Sequence, residues 1–146
     1  PFNRAIFKFN DVLDMVLIKN AAIGYKFLIP QWGRNRVNSA LSNLTEPVTA
    51  ANQLLQIQPR EAVTSISRFL INSTIGILGM FDVAGEIGIE GKKEDFGLTL
   101  ASYGVDHGFY LVLPFVGPSS ARDAVGRVGD YFMDPYNYYF DEDAVI

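Results

Sequence analysis

His107 beside Asp106 is the first place to look for acid–base chemistry in this sequence, because His107 is its only histidine. A catalytic pair needs a nucleophile or a third orienting group, and no G-x-S-x-G elbow or comparable motif accompanies it. His107 therefore reads as a structural or exposed turn histidine. The absence of cysteine removes thiolate nucleophiles, disulfides and thiolate metal sites. One histidine cannot build a His-rich metal site, and no acidic spacing matches an EF-hand loop. Two carboxylate pairs remain. Asp11/Asp14 reads as a solvated helix face and Glu94/Asp95 as a helix N-cap. Gly76-Ile77-Leu78-Gly79 lacks the Lys and Ser/Thr of a phosphate loop. Asn43-Leu44-Thr45 and Asn72-Ser73-Thr74 match a glycosylation triplet that arises by chance. The basic residues are too scattered for a nucleic-acid face. The expectation is a protein with no catalytic residues, no metal and no cofactor.

The elements around those residues carry an excess of apolar character. Apolar residues make up 49% of the 146-residue chain and charged residues 19%, with eleven Phe and seven Tyr. Soluble chains average about 25% charged residues. The mean hydropathy is +0.14. That surplus must meet a partner, a ligand or lipid. No run reaches the roughly 20 apolar residues of a transmembrane helix. The longest charge-free runs, residues 69–81 and 107–121, span 13 and 15 residues and are interrupted by Gly or Pro. The chain can lie in a membrane without crossing it on one helix. Residues 1–80 hold eight Lys/Arg against four Asp/Glu, and residues 81–146 hold four against twelve.

Helical periodicity dominates. Phe2, Ile6, Phe9, Leu13, Val16 and Leu17 form one stripe, with Asn3, Arg4, Asp11 and Asp14 opposite. Phe7, Met15 and Ile18 make a second apolar set on the polar side, so this helix needs neighbours on both faces. Lys19-Asn20 and Gly24 suggest a bend before Pro30. A second helix is expected over residues 31–43. Thr45-Glu46-Pro47 restarts the chain, with Thr45 able to cap, into a helix holding Val48, Ala51, Leu54 and Leu55. Pro59 opens another, with Ala62, Val63, Ile66, Phe69, Leu70 and Ser73 along one face. Ile75-Gly76-Ile77-Leu78-Gly79-Met80-Phe81-Asp82 then reads as an apolar helical hairpin or a tight turn. Residues 85–91 read as a loop, and Asp95 caps a helix ending at Gly104. Tyr110-Leu111-Val112-Leu113 is the only β-like run, and Gly117-Pro118 marks a turn. Ser120 and Asp123 form a capping box for a last helix to about Met133, interrupted by Asp134-Pro135.

Four groups of residues carry a family resemblance. They are Phe2-Asn3-Arg4 through Asn10-Asp11-Val12-Leu13-Asp14; Asn43-Leu44-Thr45-Glu46-Pro47 through Asn52-Gln53-Leu54-Leu55-Gln56; Arg68-Phe69-Leu70-Ile71-Asn72-Ser73-Thr74-Ile75-Gly76 through Phe81-Asp82-Val83-Ala84; and Glu94-Asp95-Phe96-Gly97 continuing through Tyr103-Gly104-Val105, Tyr110-Leu111-Val112-Leu113-Pro114, Gly117-Pro118-Ser119 and Arg122-Asp123. In identity, order and spacing they resemble the VacJ/MlaA lipoprotein family, over residues 2–136. The resemblance implies an all-α single domain, a ring-like body of amphipathic helices in the inner leaflet of a Gram-negative outer membrane. It implies partnership with a trimeric porin and removal of mislocalised phospholipid from the outer leaflet through an amphipathic channel. A periplasmic lipid carrier would receive the lipid, preserving asymmetry, and the full protein would be lipid-anchored on the periplasmic side. A structural porin-associated lipoprotein without transport is the alternative. Residues 1–146 read as one such domain trimmed at both ends, without signal peptide, lipidated cysteine or the later helices.

Exposing a diacyl lipid to water uncovers roughly 30 methylenes at about 0.8 kcal/mol each, of order 20 kcal/mol. A passive conduit must therefore stay apolar for the chains and offer polar contacts to the headgroup. Ile75, Gly76, Ile77, Leu78, Gly79, Met80 and Phe81 are expected beside the channel, with Gly76 and Gly79 permitting gating. Phe2, Phe7, Met15 and Ile18 are expected to face lipid, and Phe9 the core. Arg4, Arg34 and Arg36 could meet phosphates but read better as cations of a solvated helix face.

Overall fold

Prolines and capping residues set most boundaries in the structure, a computed structural model that describes residues 1–140. The acidic run at residues 141–146, expected as an uncapped end, lies outside the described residues. Helix α1 (Phe2–Leu13) passes through a π-helical turn (Asp14–Ile18) into α2 (Lys19–Leu28), and Pro30 stops it. The bend expected at Lys19-Asn20 and Gly24 is absent. The irregularity sits one turn earlier, where an extra residue is absorbed as a π-turn. Helix α3 (Gln31–Leu44) leads into α4 (Glu46–Leu55), whose first turn holds Pro47. Pro59 opens α5 (Pro59–Thr74), as its locked φ allows. Thr45 does not cap α4; its Oγ1 donates to the Ser42 carbonyl at 2.8 Å.

The loop expected over residues 85–91 starts only after Glu86, where α6 (Val83–Glu86) ends; Asp82 caps that helix at the Gly85 N–H. Asp95 caps α7 (Phe96–Ser102) at the Leu98 N–H, 2.7 Å away. Ser120 caps α8 (Ala121–Met133) at the Asp123 N–H, 3.1 Å away. After Asp134-Pro135, α9 covers Tyr136–Phe140. The all-α expectation is corrected by one antiparallel hairpin, β1 (Tyr110–Leu113) with β2 (Gly117–Ser120). Gly117 and Pro118 start a strand, with Pro118 opposite Val112. Proline is tolerated because each of these two strands has a free edge. The architecture is mostly helical and forms one domain.

The hairpin is held from a distance in sequence. Asn3 and Asn10, seven residues apart on one face of α1, bond the backbone of the 110–115 segment as amide pairs. Asn3 Nδ2 donates to Tyr110 O at 3.0 Å and Asn3 Oδ1 accepts from Val112 N at 3.1 Å. Asn10 does the same with Leu113 O at 2.8 Å and Phe115 N at 2.9 Å. The docked face of α1 therefore keeps Ile6 and Leu13 of the expected stripe but adds Asn3 and Asn10, while Phe2 and Phe9 are exposed. Phe9 is exposed rather than core, its ring edge-on to Phe115 at 5.5 Å.

Helices α4 and α5 show the same inversion. Of the apolar residues in their expected periodic pattern, Leu54, Leu55, Val63, Ile66 and Leu70 are exposed, against the usual rule that such a stripe faces the core. The buried face of α4 is Glu46, Thr49, Ala50, Asn52 and Gln53, and that of α5 is Ala62, Ser65 and Asn72. The helical period is the expected one, but its large aliphatic side chains point outward, while Ala62 of the same set is buried and Val48, Ala51, Phe69 and Ser73 are half-buried. Among the described residues the fully buried apolar set is Ala50, Ala62, Ala84 and Val112. The total surface, 10,248 Å² for a 16.2 kDa chain, exceeds the roughly 7,500 Å² of a compact monomer of that mass. No helix among the described residues is long and apolar enough to cross a membrane.

Candidate functional site: a polar cleft inside an apolar shell

Amide and hydroxyl side chains hold the interior together. Gln53, fully buried, donates from Nε2 to Lys92 O at 2.8 Å and accepts from Ser65 Oγ at 2.9 Å. Asn52 accepts from Thr99 Oγ1 at 2.8 Å and donates to Asp130 Oδ1 at 2.9 Å. Such a network stabilises only when every member finds a partner. Asp130 also accepts from the Phe96 N–H at 2.9 Å. Burial nevertheless holds its carboxyl above the usual range, helped by the nearby Asp95 charge. Asp130 lines a cavity of 540 Å³ with Thr45, Val48, Leu98, Arg127 and Tyr131, at the junction of α4, α7 and α8. Buried Glu94 is more than part of a cap: it is bonded by Gln56 Nε2 at 3.1 Å and paired with Lys92 at 2.5 Å.

At the other end a charged cluster closes the interior. Arg68 on α5 reaches Glu46 Oε1 at 3.1 Å, Asp82 Oδ1 at 3.0 Å and the Ile89 carbonyl at 2.5 Å. Asp82 also accepts from Asn72 Nδ2 at 2.9 Å and from the Gly85 N–H at 3.1 Å. Burial alone would raise the Asp82 carboxyl. The bonds from Asn72, Gly85 and Arg68 outweigh it and hold the carboxyl below the usual range. Burial likewise pulls Arg68 down, and the bonds to Glu46 and Asp82 leave it above its ordinary value.

This cluster forms the floor of a cleft beside α3. An outer chamber of 680 Å³ is lined by Asn35, Arg36, Asn38, Ser39, Asp82, Gly85 and Glu86. An inner one of 220 Å³ adds Ser42, Asn43, Glu46, Arg68 and Asn72, and the two share Asn38, Ser39 and Asp82. Asn35, Asn38, Ser39 and Ser42 recur at helical spacing, while Trp32, Val37, Leu41 and Leu44 of the same helix are exposed. Helix α3 thus turns polar groups into the cleft and apolar groups outward.

Residues 75–81 lead into Asp82 of this cleft without lining either chamber themselves. They are successive turns rather than paired helical arms: Gly79 N bonds Asn72 O at 2.7 Å and Phe81 N bonds Gly76 O at 3.0 Å. Ile77, Leu78 and Gly79 all have positive φ, the first two against the preference of side-chain-bearing residues. Gly76 and Gly79 are buried under backbone and Asn43 respectively, and Ile75, Ile77, Leu78 and Met80 are exposed. Arg36 leaves the solvated face assigned to it. Its Nη1 donates to Met80 O at 3.2 Å and its guanidinium carbon lies 4.5 Å from the Phe81 ring centroid. Arg34 instead bonds the end of α2, at Lys26 O (3.1 Å) and Ile29 O (2.9 Å). Phe2, Phe7, Met15 and Ile18 are exposed on the first helix, remote in sequence from the cleft. His107 stands in an exposed turn where Asp106 bonds its backbone N–H at 2.7 Å, not its ring. Among the described residues no group of His, Asp and Glu is placed to hold a metal ion.

A polar cleft within an apolar-surfaced helical body now has relatives to be set against. A family model described as MlaA lipoprotein matches residues 1–145. The chain belongs to the MlaA lipoprotein family. It is 36% identical over 135 residues to the intermembrane phospholipid transport system lipoprotein MlaA of Escherichia coli (strain K12), covering 90% of this chain and 54% of that protein. The protein of the same name from Haemophilus influenzae is 36% identical over 140 residues, covering 92% and 56%. An uncharacterized protein of Rickettsia felis is 46% identical over 143 residues, covering 97% and 57%. The chain spans a little over half the length of these MlaA-family relatives. A solved structure concerning the structural basis for maintenance of bacterial outer membrane lipid asymmetry superposes with a TM-score of 0.81 at 32% identity, covering 95% of this chain and 72% of that one.

Sequence reasoning placed the turn region at 75–81 but missed the residues that build the cleft behind it. Glu46, Arg68 and Asn72 of the cleft recur at helical spacing on α4 and α5 with the interior amides Asn52 and Gln53 and the hydroxyl Ser65, and that polar period was the available signal.

Proposed function

We propose that this chain is the helical body of an outer-membrane lipoprotein that carries phospholipid out of the outer leaflet, with the cleft beside α3 as part of an amphipathic, ring-like conduit. One observation carries the proposal: the interior is built from Asn52, Gln53, Ser65, Asn72, Thr99 and a Glu46–Arg68–Asp82 cluster, while large apolar side chains cover the outside. That distribution suits a body bathed in acyl chains with a polar path for a headgroup. Phe2, Phe7, Met15 and Ile18 would rest in the inner leaflet, on the periplasmic side. Ile75, Ile77, Leu78 and Met80 would form an apolar lip past which the chains slide, with Gly76 and Gly79 fixing its shape and permitting small gating shifts. A trimeric porin would cover part of the apolar exterior, and a periplasmic carrier would accept the lipid.

The test is transfer of fluorescent phospholipid from vesicles bearing the full-length protein to an acceptor carrier, with Ser39→Trp obstructing the cleft. The proposal expects wild-type transfer and a several-fold loss in the folded variant. Undiminished transfer with the cleft filled would reject the conduit. Porin binding without any lipid transfer would favour a structural lipoprotein.

A further inference from the structure

The cleft contains unmet hydrogen-bonding capacity of both signs. A guanidinium carries five N–H donors in a planar fork. Arg36 spends one on Met80 O, stacks one face against Phe81, and leaves a buried Nε–H without an acceptor. Among the described residues it has no carboxylate within ion-pair distance. Arg68, the other cation of the cleft, is already committed to Glu46 and Asp82. Glu86 lines the same outer chamber as Arg36 and has no cationic partner among the described residues. Deeper in, buried Asn43 Oδ1 lacks a donor.

An unmatched donor fork, an unmatched carboxylate and an unmatched amide oxygen in adjoining chambers ask for a ligand with separated positive and negative groups. We propose that Arg36 and Glu86 read the headgroup of a zwitterionic aminophospholipid. The edge of the Arg36 fork takes the phosphodiester, and Glu86 takes the primary ammonium. Charge complementarity sets the class. A headgroup carrying only the phosphate is drawn to Arg36 but repelled by Glu86 and by Asp82, whose ionised form the surrounding bonds favour. A cation alone meets Arg36. The outer chamber, at 680 Å³, lies within the roughly 300–1,000 Å³ of small-molecule sites. The assignment rests on the conduit reading for how lipid arrives, but its binding chemistry is tested separately.

The experiment measures binding of short-chain phosphatidylethanolamine and phosphatidylglycerol to the detergent-solubilised full-length protein by native mass spectrometry, alongside vesicle transfer of both lipids. Wild type is expected to prefer phosphatidylethanolamine about three- to ten-fold, the worth of one charge-assisted bond in a partly wet site. Arg36→Gln is expected to weaken both lipids about ten-fold. Glu86→Gln is expected to bring their ratio to about one. Glu86 is exposed, so that variant keeps the test sharp if losing the Arg36–Phe81 stack unfolds the lip. Equal wild-type affinities, or a preference untouched by Glu86→Gln, would overturn the assignment. So would displacement of the lipid by inorganic phosphate at equal concentration, which would mark a simple anion site. Preference in binding without vesicle transfer would leave the headgroup pair standing and reject the conduit. Transfer without preference would do the reverse.

Discussion

Replacing buried Gln53 by leucine should destabilise this protein, although the same change in an apolar core would be neutral or favourable. The side chain is fully enclosed and bonds Lys92 O at 2.8 Å and Ser65 Oγ at 2.9 Å. Gln53→Leu leaves the buried Ser65 hydroxyl and the part-buried Lys92 carbonyl without their partner, at about 1–3 kcal/mol for each group that water cannot reach. In water, burying the leucine would offset part of that. In a micelle or bilayer the reference state is already apolar, so little is returned. The expected loss is about 2–5 kcal/mol, read as a lower denaturation midpoint in detergent micelles with an unchanged slope. Ser65→Ala on top of it should cost less than the sum, because the stranded hydroxyl is removed. Leu54→Gln, one residue away on the exposed face, should change micellar stability by under about 1 kcal/mol. A Gln53→Leu protein as stable as wild type would refute the claim that the polar network holds α4 to α5.

Arg68→Met should cost about 3–5 kcal/mol by stranding buried Glu46, and Glu46→Gln in the same chain should restore part of it, both read by chemical denaturation. Stability should peak in mildly acidic conditions. The raised carboxyl of Asp130 makes the folded state bind more protons above the usual carboxylate range, so stability falls as pH rises through its folded pKa. The lowered carboxyl of Asp82 contributes stability above the usual carboxylate range that is lost as pH falls through its folded pKa. Asp130→Asn should flatten the upper limb of a denaturation-against-pH curve, and Asp82→Asn the lower. Gly79→Ala should destabilise by about 1–3 kcal/mol, since its φ is +83° and a Cβ would stand 2.4 Å from Asn43 Cβ; a thermal melt matching wild type would contradict the close packing of the lip.

The elements were largely legible because local signals fix them. Pro30, Pro47 and Pro59 mark helix starts, and Asp95 and Ser120 cap where their spacing says. The orientation of those helices was not, because the usual rule puts apolar stripes inside. Leu54, Leu55, Val63 and Leu70 obey the helical period and point outward. The hairpin strand β2 was hidden by Gly117-Pro118, ordinarily a turn signal, and its partner β1 is held by Asn3 and Asn10 more than a hundred residues earlier. Arg36 could not be told from Arg34 in the sequence, since its role depends on Met80 and Phe81 folding back across α3.

Residues 1–146 contain no cysteine, so a thiol introduced among them is unique within that span, and this allows the inverted body to be tested directly. Single cysteines at Val63, Leu54 and Leu70 outside, and at Asn38 and Ser39 in the cleft, would be labelled in vesicles with a membrane-impermeant maleimide. Fluorophores at the same positions would then be exposed to acyl-chain-brominated lipids. The account predicts rapid aqueous labelling with weak lipid quenching in the cleft, and slow labelling with strong quenching outside. Outer positions that label as fast as Ser39 and escape the brominated chains would contradict it.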